Sequence, residues 1–207
     1  FDNLGAELNN TVDRDMATVS LRSLTESELL QPALNMLALL LAKPDFDETA
    51  LERIRQKRLS YLKYQQQSPD VIGEEAFYQA VFETHPYATL PEGTSESVTT
   101  ITRDGVNVFH KRYYVTKNAL IVIVGALERK EAGKLADTIV SQLPVGKIAP
   151  TLPPVPSLNE AKTIHLEHPS SQTHVLMGQP GMKRGDPDYF TLYVGNYILG
   201  GRGLVCQ

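Results

Sequence analysis

The run ALIVIVGAL (119–127) does more than any other stretch to limit what this chain can fold into. It is short, continuous, rich in β-branched residues and closed by Gly125, so it predicts a central strand buried on both faces. A second strand signature precedes it. ATVSLRSL (17–24) alternates, with Val19 and Leu21 set against Thr18 and Ser20. The stretch before it, GAELNNTVDRD, is expected to pair with it, giving a hairpin over about 6–24.

The remaining patterns are mostly helical. Leu29, Leu30, Ala33, Leu34, Leu37 and Leu41 recur at helical spacing, and Pro44 should stop that helix. Residues 51–65 carry a narrow stripe of Leu51, Ile54, Leu59 and Leu62. A further helix is expected over about 70–82, burying Val71, Ala76, Phe77, Ala80 and Val81. Others are expected over 96–113, 128–143 and 186–201. HPYATLPEG (85–93) reads as a loop from its Pro and Gly content. KTIHLEH and THVLMGQPG read as two late strands. The fold class expected is α+β, a mainly antiparallel sheet with helices packed on one face.

PVGKIAPTLPPVPS (144–157) holds five prolines and reads as a stiff, extended connector. The organisation expected is one domain over 1–150, a Pro-rich linker over 151–161, and the beginning of a second domain over 162–207. The chain starts without Met and stops at Gln207 after a Gly-rich stretch, which reads as a piece of a longer protein.

Charge narrows the function. A net charge of −4 and a pI near 5.7 argue against a nucleic-acid binder, which is usually basic. No apolar run is long enough to span a membrane. No signal peptide is visible at Phe1. The single cysteine, Cys206, has no partner in the chain for a disulfide. The basic stretch 51–65 interleaves its charges with Leu, Gln, Ser, Tyr61 and Tyr64, which reads as a solvated helix face.

Candidate chemistry is thin. His165, Glu167 and His168 sit in IHLEHP, but in a strand 165 and 167 share one face while 168 points away. Zinc-binding H-E-x-x-H or H-x-x-E-H patterns need a helix on which the two histidines converge. His174 lies in the next expected strand. His85 and His110 read as hydrogen-bonding structural residues. No nucleophile elbow and no phosphate-binding Walker loop occurs. Gly200, Gly201 and Gly203 form either a helix C-cap or a loop able to approach a peptide backbone.

Taken in order, several stretches resemble one family. FDNLGAELNNTVDRDMATVSLRSL resembles the opening hairpin of the M16 metallopeptidases, the insulinase, pitrilysin and mitochondrial-processing-peptidase group. PDFDETALERIRQKRL resembles their helix with the pattern f-x-x-x-x-x-E-x-x-R. HPYATLPEGTSESVTTITRDGVNVFHKRYYVTKNALIVIVGAL resembles their hPYg segment and the strand after it. DYFTLYVGNYILGGRGLV resembles the start of their second repeat. The likeness covers essentially the whole chain.

The resemblance implies an inverted zincin helix, H-x-x-E-H, supplying two histidine ligands and a glutamate base, and a second helix supplying a glutamate as third ligand. No H-x-x-E-H occurs here, and by resemblance it would lie upstream of Phe1. The second helix aligns with residues 51–70. One alignment puts Tyr61 at the ligand position and another puts Leu59 there. The supporting glutamate falls near Ser68. Residues 53–69 contain no Asp or Glu at all.

The expectation is therefore a catalytically inactive M16 domain with no catalytic residue, no metal ligand and no cofactor in this chain. Zinc is expected in an active M16 subunit, or the chain's own dimer mate, with which it pairs to handle peptide. A periplasmic or envelope location follows by resemblance alone. Three alternatives stay open. One is an active zinc endopeptidase with H-x-x-E-H upstream and a ligand such as Glu74 or Glu75. Another is a purely structural subunit resembling respiratory-complex core proteins. A nucleic-acid module is the remote third. Glu74 and Glu75 lie more than three helical turns from the aligned position, about 20 Å at 1.5 Å per residue.

Overall fold

A computed structural model describes residues 1–200. The expected hairpin is present. Strand β1 (Glu7–Val12) pairs antiparallel with β2 (Ala17–Arg22), in register from Glu7 opposite Arg22 to Val12 opposite Ala17. Asp13 builds the turn: its carboxylate accepts from the amides of Asp15 and Met16 at 2.7 and 2.8 Å. Those two bonds hold the Asp13 carboxyl below its ordinary pKa, the Met16 amide having the larger effect.

Seven α-helices follow among the described residues: α1 (Ser27–Ala42), α2 (Glu48–Gln65), α3 (Pro69–Phe82), α4 (Ser95–Thr100), α5 (Arg103–Tyr113), α6 (Arg129–Val140) and α7 (Tyr189–Gly200). Their starts are chemically marked. Asp47 caps α2 by accepting from the Ala50 amide at 2.8 Å, and Pro69 opens α3 at a position that needs no N–H. The core gathers around α1, whose Ala33, Leu34, Leu37 and Ala38 are buried at helical spacing. Helix α6 packs on α1, α4 packs on α2, and α3 packs on the turn Pro86–Ala88. The α+β class expected from the sequence holds.

Four expectations need correction. The helix expected over 96–113 is two helices. Thr94 and Ser97 form a reciprocal capping box at α4, and the Thr102 hydroxyl then accepts from the Gly105 amide at 3.1 Å, so a second N-cap interrupts the run. The stripe of α2 is Leu51, Arg55, Leu59 and Leu62, whereas Ile54 is 56% exposed.

The run 119–124 is not buried on both faces. Ile121 and Ile123 are half-buried, while Leu120, Val122 and Val124 are 89, 76 and 93% exposed. Among the described residues no strand lies beside it, and its residues 120–124 make no backbone–backbone hydrogen bond. The late strands expected over 162–168 and 173–181 likewise form no ladder among the described residues. A strand needs a neighbour to satisfy its amides and carbonyls, and the two-stranded hairpin offers these segments none.

The Pro-rich segment starts out anchored. Thr116 and Lys117 amides donate to the Pro144 and Val145 carbonyls at 2.8 and 3.3 Å, and Ala149 N–H donates to the Asn118 side chain at 2.7 Å. Gly146 adopts φ +59° directly against Val115, which is 2% exposed.

Candidate functional site

Helix α2 carries the position where the resemblance expects a zinc ligand, and its two sides differ sharply. The inward side carries Leu51, Leu59 and the buried Leu62, and the helix packs against α4. Arg55 belongs to this side, with a side chain only 16% exposed. Its guanidinium donates to the Thr99 and Ile101 carbonyls, both at 2.7 Å. These are carbonyls at the end of α4, left without intrahelical partners. Arg55 Nε also lies 3.0 Å from Glu52 Oε2, an ionic contact whose angle falls short of a hydrogen bond. The Glu-x-x-Arg pattern of this helix is thus structural: Arg55, with Glu52 one turn away on the same helix, ties α2 to the end of α4. Phe46, the aromatic that begins the pattern, accepts from Arg103 Nε through its carbonyl at 2.8 Å and sets its ring edge-on to His110.

The outward side carries Tyr61, 47% exposed, whose hydroxyl accepts from Gln65 Nε2 at 3.0 Å. The Arg58 guanidinium lies 5.8 Å from the Tyr61 ring centroid. Of the two ligand alignments, Leu59 falls within the packing stripe and Tyr61 faces out. Ser68, the third position, precedes α3 and donates a short hydrogen bond to the Asp70 carboxylate. That bond is the main reason the Asp70 carboxyl lies below its ordinary pKa. A phenol held by an amide, an apolar side chain and a hydroxyl engaged with a carboxylate do not make a zinc site, which needs convergent N, S or anionic O donors.

Glu74 and Glu75 do not supply the missing ligand together. Glu74 lines a shallow cleft of about 420 Å³ with Asp70, Phe77, Tyr78 and His174. Glu75 lines a different one, of about 370 Å³, beside Gln79 and His85. Among the described residues no three His, Cys, Asp or Glu side chains come together at ligating geometry. His165 meets Glu167 at 3.0 Å, both well exposed, while His168 is only half-buried and pairs with neither. Gly200 ends α7 with φ +133°, a conformation that favours glycine. Gly201, Gly203 and Cys206 lie outside the described residues.

His85 and His110 are structural, as expected. His85 Nδ1 accepts from the Tyr87 amide at 3.1 Å, so its ring proton sits on Nε2, which donates to the Pro153 carbonyl at 3.1 Å. His110 Nε2 donates to the Leu41 carbonyl at 2.8 Å. Sequence reasoning missed a cluster around this loop. The hairpin turn reaches across to it: Arg14 stacks on Tyr78 at 3.6 Å and donates to the Tyr87 carbonyl at 3.2 Å. The Tyr87 hydroxyl donates a short bond to Asp15, which raises the phenol's pKa. The only local signal was the excess of aromatics in FYQAVFETHPY.

Comparison with known proteins locates this arrangement. A family model described as the peptidase M16 inactive domain matches residues 100–204. The crystal structure of a peptidase M16 inactive domain from Pseudomonas fluorescens superposes with a TM-score of 0.88 at 34% identity, covering 98% of this chain and 49% of that one. An uncharacterized zinc protease of Rickettsia bellii is 27% identical over 71% of this chain and 35% of its own length. A protein of Helicobacter pylori called a non-peptidase homolog is 26% identical over 68% of this chain and 32% of its own. The chain therefore spans about a third of those curated relatives and about half of the solved one.

Proposed function

Because the chain belongs to the M16 peptidase family through its inactive-domain group, we propose that it is part of a non-catalytic subunit that binds peptide without cutting it. An active, zinc-bearing M16 subunit is its partner. The observation that carries this reading is the outward face of α2. It offers Tyr61 at one of the two aligned ligand positions, Leu59 being the other, and no carboxylate occurs anywhere over 53–69. The name of the Helicobacter pylori relative, a non-peptidase homolog, supports the same reading. Residues from 162 onward would open a second unit, and the protein would work in the periplasm or cell envelope. No described helix is long and apolar enough to cross a membrane.

The test is metal analysis by mass spectrometry of protein purified without chelators, combined with a peptide-cleavage assay. The expected result is substoichiometric zinc and no cleavage by the protein alone, with cleavage appearing only when an active M16 subunit is added. Tyr61→Glu is expected to restore neither property. Zinc near one per chain, lost in Glu74→Gln or Glu75→Gln, would overturn the reading and make that residue the ligand.

A further inference from the structure

Among the described residues His85 is the one polar residue that is buried, at 6% exposure. Buried polar groups are paired, and one of the two partners of this ring lies in the Pro-rich segment. Nδ1 accepts from the Tyr87 amide, which leaves the ring proton on Nε2, and Nε2 donates to the Pro153 carbonyl 68 residues along the chain. Aromatic neighbours fix the ring. It lies edge-on to Tyr87 with centroids 4.7 Å apart, and Phe82 lies at 6.1 Å. Tyr87 is in turn tied to the hairpin turn through Arg14 and Asp15. The Nε2 donor is thus held in place by groups outside the Pro-rich segment.

A second grip lies four residues earlier in that segment. Asn118 Oδ1 accepts from the Ala149 amide at 2.7 Å, and Asn118 Nδ2 donates to the Tyr113 carbonyl at 3.2 Å, which orients the amide group. Behind it the Thr116 and Lys117 amides hold the Pro144 and Val145 carbonyls. The attachments therefore fall at 144–145, 149 and 153. From Ala149 to Pro153 the run spans about 12 Å when extended at about 3.1 Å per residue. Pro150 and Pro153 restrict its backbone, so a few attachments immobilise the whole run at small entropic cost. Beyond it, residues 154–164 make no backbone hydrogen bond among the described residues.

We propose that His85 and Asn118 are two clasps that strap residues 144–153 onto the preceding part of the fold, so that the linker becomes free only after Pro153. The point and direction from which the later residues leave are then set by these two side chains. The inference goes beyond the peptide-binding reading and stands whether or not that reading does. The chemistry of the His85 ring makes its two bonds separable. Gln can place a donor Nε2 where the His85 Nε2 lies, and Asn can place an acceptor Oδ1 where Nδ1 lies. His85→Gln therefore keeps the grip on the Pro153 carbonyl, whereas His85→Asn keeps the bond from the Tyr87 amide and releases the linker.

The test is the distribution of distances between two nitroxide labels, read by double electron–electron resonance. The labels sit at Lys111→Cys on α5 and Ser157→Cys just past the clasp, both exposed positions, in the full chain carrying Cys206→Ser. A control pair, Lys57→Cys on α2 with Lys111→Cys, reports on the body of the fold. The linker pair is expected to give one narrow distribution. His85→Asn and Asn118→Ala should each widen it about twofold, as a released Pro-rich run samples more directions. His85→Gln should leave it narrow, and the control pair should stay narrow throughout. A broad linker distribution in the unsubstituted background would overturn the strap, as would unchanged widths in both His85→Asn and Asn118→Ala. A distribution as broad in His85→Gln as in His85→Asn would overturn the assignment of His85 as the donor that holds the linker. Where a His85 variant also widens the control pair, Asn118→Ala decides: a wider linker pair beside a narrow control supports the strap, and an unchanged one overturns it.

Discussion

Replacing Arg55 should cost more stability than any other single charge change in α2, because of what its guanidinium holds. Two N–H groups donate to the Thr99 and Ile101 carbonyls at 2.7 Å, from a side chain 16% exposed. Hydrogen bonds from a charged donor contribute about 1.5–3 kcal/mol each. The two share one donor group and are not independent, so Arg55→Ala should destabilise the protein by about 2–4 kcal/mol. Lys in its place keeps the charge but loses the planar fork, and should cost about half as much. Glu52 is 54% exposed, so Glu52→Ala should cost only about 0–1 kcal/mol. Urea unfolding with an unchanged slope reads these differences from the midpoint. The thermal midpoint should fall by about 4–16 °C in Arg55→Ala. A cost for Arg55→Ala no larger than that for Glu52→Ala would refute the argument that the fork, rather than the ion pair, joins α2 to α4.

Two further outcomes follow from close contacts. In Gly146→Ala the new Cβ would lie 2.4 Å from Val115 Cβ and Cγ1, at a φ of +59°. The clash and the left-handed backbone together should cost about 2 kcal/mol or more, and a midpoint shift below about 0.5 kcal/mol would contradict the packing. Tyr87→Phe removes the hydroxyl bond to Asp15 and should cost about 1 kcal/mol at neutral pH. The phenol's folded pKa lies above its unfolded one, so its contribution is intact below about pH 10 and lost as pH rises through the folded value. Wild type should therefore lose stability faster than Tyr87→Phe in alkali, and parallel losses would disprove the pairing.

The sequence revealed what depends on neighbours in the chain. Alternation in ATVSLRSL located β2, and the Leu and Ala spacing of 29–41 located the buried face of α1. The break between α4 and α5 was also legible, because Thr94 and Thr102 each begin a capping pattern, but 96–113 was read as one helix without regard to the second cap. Ile54 was misplaced because a charged residue, Arg55, occupies the inward position. Arginine can bury its stem while its head satisfies carbonyls, and a stripe read only from apolar residues misses that. The ring of Arg14, Tyr78, His85 and Tyr87 was invisible because it joins a hairpin turn to a loop over seventy residues away. The role of 119–124 depended on a neighbour that no local pattern supplies.

That last run has a practical consequence. Among the described residues, the amides and carbonyls of 120–124 have no backbone partner, and Leu120, Val122 and Val124 are turned to water. Such an edge is adhesive to any other strand that can lie along it, including an identical one. Solubility of this stretch of chain is therefore governed by what screens that edge, and handling should reflect it. A charged residue at position 122 should improve colloidal behaviour wherever that edge is open, whereas in an assembly where the edge is paired the same substitution should weaken folding.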